Sequence, residues 1–333
     1  MLRWIEQERF NTGMDTEAIA TPQATGPRAA DPLLPLSNPL APPPESVTVF
    51  RAGSAGSAAE GHAWRSEVSE RSSDSLWRPL VEHRLDVRLT GEEPEAALSE
   101  ILIRWDEHLT GVASAGDWDT AAVVARPSRE PAGSAELLRH GFAPVRVLAV
   151  RPADRLAAAG PPAEPGVRLR AAEPADLDTA VELYTELQRY DAQFGLVTLR
   201  ENAGELLRAD LAAQLDRTEP TVWLAELYGR PLGFLRLQYP PETDWVAPFV
   251  AAERVGYLSS LQVSEAARSS GVGTALAAHA HQLYDEAGID AVLLHHTLAS
   301  PRSTPFWYGH GYRPLWTYWY RRPAVYSRNA ARS

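Results

Sequence analysis

The 333-residue chain contains no cysteine. Disulfides, thiolate metal sites and cysteine nucleophiles are thereby excluded, and the absence suits a cytoplasmic protein. It also lacks an uninterrupted apolar run of about 18 residues, the length that a membrane span requires. Near the N-terminus, Arg3, Glu6, Glu8 and Arg9 break what would be the apolar core of a secretory signal. Basic residues are the minority, with 32 Lys and Arg against 43 Asp and Glu and a formal net charge of −11. Nucleic acid is a poor partner for such a chain, because phosphate binding needs a basic face. A cationic substrate such as an amine is mildly favoured. Aromatic residues are missing from Asn11 to Val49, where Pro22, Pro27, Pro32, Pro35, Pro39 and Pro42 to Pro44 recur. That stretch buries too little apolar surface to offset its ordering entropy, so residues 1–45 are expected to form a disordered tail.

Hydrophobic residues make up 44% of the chain and include ten tryptophans, enough for the cores of two ordinary domains. Gly160-Pro161-Pro162 and Pro165-Gly166 mark a break between Pro152 and Gly166. We expect a linker at residues 153–165, separating a unit at 46–152 from one at 166–325, with a short tail at 326–333. The two units share a repeat. His140-Gly141-Phe142-Ala143-Pro144 matches His310-Gly311-Tyr312-Arg313-Pro314 at an offset of 170 residues (310 − 140), which holds through Arg151 and Arg321. The helical run Glu95 to Leu109 and the strand Thr120 to Ala125 stand upstream in the order the same unit requires.

In the C-terminal unit, the strand Tyr257 to Val263 leads into the loop Arg268-Ser269-Ser270-Gly271-Val272-Gly273, and a helix begins at Thr274-Ala275-Leu276. Such a loop turns successive N–H groups outward at a helix N-terminus, where the macrodipole also favours an anion. Gly271 and Gly273 permit positive φ and close backbone approach, and Arg268 adds a full positive charge. Leu258 and Leu261 stand three apart where alternation would set apolar residues two apart, a spacing compatible with a β-bulge.

The R-x-x-G-x-G loop resembles the acyl-CoA pyrophosphate loop of the Gcn5-related N-acetyltransferase (GNAT) family. The run Ser300-Pro301-Arg302-Ser303-Thr304-Pro305-Phe306-Trp307-Tyr308-Gly309-His310-Gly311-Tyr312-Arg313-Pro314 resembles that family's closing segment. The resemblance covers about Gly166 to Pro323. It implies an α/β tandem GNAT fold: a mixed, mostly antiparallel sheet with one splayed parallel strand pair, flanked by helices. It also implies acetyl-CoA, or another acyl-CoA, as cofactor. Leu261, Gln262 and Val263 would pair with the pantetheine arm, and Arg268, Ser269, Ser270, Gly271, Val272, Gly273 and Thr274 would hold the pyrophosphate. Ser300, Ser303, Phe306 and Trp307 would complete the cofactor side. Glu186, Tyr190, Asp191 and Phe194 lie on the segment that forms the acceptor side in the family.

The N-terminal unit resembles a degenerate copy. At its loop position the chain reads Thr90-Gly91-Glu92-Glu93-Pro94, where two carboxylates repel a pyrophosphate and a proline removes an N–H donor. The implied reaction is direct attack of a small-molecule amine on an acyl thioester. An alkylamine of pKa about 10.4 is neutral in only about one molecule per thousand at pH 7, so a base is useful. Glu226 and Glu253 are the candidates, with Glu242 and Asp244 behind them. Counting back from Gly311 puts Trp307 at the family's catalytic tyrosine position, with Tyr308 the adjacent phenol. Tyr308 serves as the acid only if the short helix begins differently. Adjacent strand residues face opposite ways, so His295 and His296 do not ligate one ion together, and no metal is expected. The reading is an N-acetyltransferase acting as a monomer or homodimer. Its rivals are a silent acyl-CoA sensor or scaffold, and an enzyme that acylates a protein amine or uses a longer acyl-CoA.

Overall fold

The computed structural model describes residues 31–36, 47–54, 56–153 and 166–327. The N-terminal half comprises β1 (Thr48–Ser54), β2 (Ser57–Glu67), β3 (Val81–Gly91), α1 (Glu95–Val112), β4 (Thr120–Pro127), α2 (Ser134–Arg139) and β5 (Ala143–Pro152). The C-terminal half begins with β6 (Val167–Ala171), α3 (Leu177–Asp191) and α4 (Ala203–Leu215). It then repeats the earlier order: β7 (Val222–Leu227), β8 (Arg230–Gln238), β9 (Val255–Val263), α5 (Val272–Glu286), β10 (Ala291–Thr297), α6 (Ser303–Gly309) and β11 (Arg313–Arg321). The strands form one sheet in the order β1-β2-β3-β4-β11-β5-β10-β9-β8-β7-β6. Two neighbouring pairs, β3–β4 and β9–β10, are parallel and the others antiparallel, as the expected fold class requires.

The halves exchange their last strands. β5 lies beside β10 with Val292 opposite Arg151, and β11 lies beside β4 with Ala122 opposite Arg321. These registers are identical once 170 residues are added to one member and subtracted from the other. β5 and β11 also pair with each other, Leu148 opposite Trp316 and Arg146 opposite Tyr318, which keeps the same symmetry. Hydrophobic pattern explains the helices. In α1, Ala97, Leu98, Ile101, Leu102, Trp105 and Leu109 are buried at three- and four-residue spacing. In α4, Leu207, Leu211 and Leu215 are buried and Leu206 lies at the margin of the same cluster.

One boundary differs from expectation. Residues 31–36 belong to the fold and not to a tail: Leu34 is fully buried, and Asp31 pairs with Arg313, Nη2 to Oδ1 at 2.9 Å. Leu33 and Leu34 supply enough apolar surface to seat this short piece against Val246 and Val250. β8 begins at Arg230, because Tyr228 and Gly229 alone make the turn, with φ of 50° and 79°. Residues 1–30 and 37–45 of the expected tail, and 154–165 of the expected linker, lie outside the described residues.

Candidate functional site

After β9 a short turn at Glu265–Ala267 delivers the chain to Arg268 and then to α5. Ser269 (φ 62°) and Gly271 (φ 82°) are both left-handed, and Gly271 is the residue from which α5 starts. The first amides of α5, those of Val272, Gly273 and Thr274, have no acceptor within their own helix. Val272 is fully buried in the core beneath the loop, while Gly273 and Thr274 are partly exposed. A Cβ on Gly273 would lie 3.3 Å from Phe306, a contact tighter than a side chain normally accepts. Arg268 contacts Glu265 at 3.0 Å and Glu186 at 3.3 Å, which ties the loop to α3. Free amides at a helix N-terminus, an arginine beside them and a glycine backbone fit a phosphate-bearing cofactor.

Next to the loop the parallel pair opens. β9 and β10 are joined only from Val255/Ala291 to Tyr257/Leu293, although both continue beyond. Opposite β8 the register jumps from Arg236/Ser260 to Leu237/Leu258, leaving Ser259 as an extra residue on β9. The expected bulge and splay are both present. They open into a cleft of about 620 Å³ that reaches from Leu261, Ser303 and Trp307 to the N-terminal half. Gln262 is buried, with its Nε2 donor unpartnered among the described residues. Ser300 does not line the cleft; its Oγ accepts from the Ser303 N–H at 3.1 Å and so holds the start of α6.

The far side of the cleft carries charge. Asp191, at the end of α3, lines it, and burial pushes its carboxyl up to about 6 against the opposing influence of Arg146. Arg78 and Arg84 come from the N-terminal half, as does Arg146 on β5. The fully buried Glu82 receives Arg84 Nη2 at 2.6 Å, Arg78 Nη2 at 3.1 Å and the Tyr320 hydroxyl at 3.1 Å. Arg236 is matched by Asp210, with Nη2 3.1 Å from Oδ1. The Tyr257 hydroxyl lies 2.9 Å from His295 Nδ1, and burial holds that imidazole well below its usual range and therefore neutral.

The expected bases are elsewhere. Glu226 is bound to Arg170 at 2.6 Å on the outer strands, and Glu253 is exposed in the loop before β9. Glu242 pairs with Arg217, and Asp244 is exposed. None of the four lines the cleft, because each lies where water or an arginine already satisfies it. Asp191 does line the cleft. Its signal in the sequence was its position at the end of the acceptor-side helix, but burial is invisible there. Tyr308 is also outside the cleft: it is 36% exposed, with its ring 5.5 Å from His296, while the buried Trp307 faces in. The repeat shows the same register, with Leu137 1% and Leu138 57% exposed. His296 approaches Thr304 Oγ1 at 3.3 Å and does not converge with His295. Among the described residues no three His, Asp or Glu side chains gather at a metal-sized site, and no helix is long and apolar enough to cross a membrane.

Residues 181–312 match the family model described as Acetyltransferase (GNAT) family. Among solved structures, a GCN5-related N-acetyltransferase from Sphaerobacter thermophilus is similar at 16% identity, covering 82% of each chain with a TM-score of 0.51. That likeness shows the fold. A GCN5-related N-acetyltransferase from Kribbella flavida matches at 16% identity over 84% of this chain and 90% of its own, with a TM-score of 0.42. A tandem GNAT protein from the clavulanic acid biosynthesis pathway matches at 13% identity over 86% of each chain, with a TM-score of 0.39. No curated protein matches the chain.

Proposed function

We propose that the GNAT-family domain at residues 181–312 makes this chain an N-acyltransferase that moves an acetyl group from acetyl-CoA to the amine of a small molecule. One observation carries the reading: the splayed β9–β10 pair, whose β9 strand leads on to the glycine loop at the start of α5, opens into a cleft that also holds the half-buried carboxylate of Asp191. Arg268 and the α5 amides would hold the pyrophosphate, and the edge of β9 at Leu261 to Val263 would take the pantetheine arm. The bound cofactor supplies an acyl thioester whose thiol, of pKa near 8.5, is a good leaving group as thiolate.

The chain's own residues do the rest. Asp191, with a carboxyl poised near 6, accepts a proton from the incoming ammonium at neutral pH. Trp307 and Leu261 wall the cleft and exclude water from the reacting centre. Neither Trp307 nor Tyr308 is needed as an acid.

Thiol release from acetyl-CoA with a panel of small amines tests the reading. Asp191→Asn is expected to lower kcat by about 10²-fold or more with unchanged CoA affinity. The sign of the pH dependence follows from the base: it works when deprotonated, so kcat/KM falls below about pH 6 in the parent and loses that limb in the variant. A variant with parental turnover and the same acid limb contradicts the role of Asp191. CoA binding without turnover of any amine would favour the sensor.

A further inference from the structure

We infer that Arg146, with Arg84 and Arg78 beside it, forms an anion subsite in the cleft, so that the accepted amine belongs to a small molecule that also carries an anionic group. The inference rests on the transfer reading and adds the class of acceptor. The chain as a whole is acidic, at −11. This wall of the cleft nonetheless gathers three guanidinium groups from the N-terminal half. Behind them Glu82 supplies one negative charge, and its oxygens are already taken by Arg84, Arg78 and the Tyr320 hydroxyl. The other cleft arginine, Arg236, has Asp210 to itself.

Arg146 is the exception. Among the described residues its guanidinium makes no hydrogen bond or ion pair, and its charged and phenolic neighbours act on it only electrostatically. An arginine is always charged and has five donors to satisfy. Outside the cleft, Arg126 donates to the Val87 carbonyl at 2.8 Å and Arg321 to that of Ala324 at 2.9 Å, whereas the buried Arg151 keeps its Nη1 unpartnered among the described residues. In a recess with low-dielectric walls, an unmatched guanidinium is a strong attractor for a carboxylate or phosphate.

Asp191 lines the same cleft and senses Arg146, yet no ion pair joins them. One acid and one unmatched arginine in one cleft suit a molecule bearing an ammonium and an anion, as an amino acid does. Asp74 also borders the cleft but is exposed to solvent and makes no ion pair with Arg146. A volume of about 620 Å³ leaves room for a small acceptor beside the acyl arm.

The experiment compares matched acceptors in the thiol-release assay: amino acids against their amides, and phosphoethanolamine against ethanolamine. The parent is expected to prefer the anionic member of a pair by about 10²-fold in kcat/KM, the first pair scoring a carboxylate and the second a phosphate. Arg146→Met should bring that ratio near one, Arg146→Lys should retain part of it, and CoA affinity should persist in both. Equal use of charged and neutral members by the parent, or an unchanged ratio in Arg146→Met, overturns the subsite while leaving acyl transfer intact. If no amine in the panel turns over, the transfer reading fails, and tryptophan fluorescence decides the subsite, because Trp77 and Trp245 line the cleft. Quenching by the same amino acids that is lost in Arg146→Met supports it. Absent or equal quenching by acids and amides overturns it. Loss of fold in Arg146→Met leaves the decision to Arg146→Lys against the parent.

Discussion

In the C-terminal half, β9 carries an extra residue at Ser259 and leaves β10 after Leu293. In the N-terminal half, β3 follows β2 without a register shift from Val81 to Gly91 and stays paired with β4 as far as Leu85/Val124. Beyond that point Arg126 reaches across from β4 to donate to the Val87 carbonyl at 2.8 Å. Its counterpart 170 residues on is His296, which lines the open cleft. The helix starts differ as well: α5 begins from the left-handed Gly271, α1 from Pro94 after Glu92 and Glu93. One framework thus appears twice, splayed once and closed once. Closure brings a buried hydrogen bond and a longer ladder, while opening costs both. We propose that the N-terminal unit is a degenerate copy kept for its strands and for the wall it gives the cleft.

The exchange of β5 and β11 makes the strongest prediction. A chain beginning at residue 166 lacks β4 and β5, so β11 loses both neighbours and β10 loses one. It is expected to be unfolded or insoluble, judged by circular dichroism and gel filtration. A monodisperse truncation that binds CoA would show the N-terminal half to be dispensable.

Next in size are changes at the glycine loop. Gly271→Val sets a β-branched residue at φ 82°, and Arg268→Glu reverses a charge beside the free amides. Each is expected to weaken CoA by about 10²-fold or more in calorimetry. The matching change in the other half, Glu92→Lys with Glu93→Lys, should leave CoA affinity within about twofold, since the two sites are independent. Equal effects in both halves would break the comparison.

The shape of this loop was legible, because glycines in alternate positions mark a left-handed turn into a helix, as at Gly271. The bulge was legible from the spacing of Leu258 and Leu261. The strand exchange was not, since the run Val145 to Val150 shows that a strand exists but not which strand it joins. β1 to β3 also passed unread, because the repeated residues, His140 to Pro144 and His310 to Pro314, lie at the other end of each unit. Burial hid Asp191 in the same way: a carboxylate at a helix end looks the same in sequence whether it faces water or a cleft. Glu226 and Glu253 lie outside the cleft for the converse reason, one paired with Arg170 and the other exposed to solvent.

The smallest effect is expected at Tyr308. Its phenol lies outside the cleft, as Leu138 does in the repeat, so Tyr308→Phe should lower turnover by about tenfold or less. A loss of roughly 10³-fold with unchanged CoA affinity would mean that α6 turns in the working enzyme.

Calorimetric titration of the full chain with CoA tests most directly whether one half is open and the other closed. The account predicts one site per chain, abolished by Gly271→Val and indifferent to Glu92→Lys. Two sites per chain, or a single site that survives Gly271→Val in a folded protein, would contradict it.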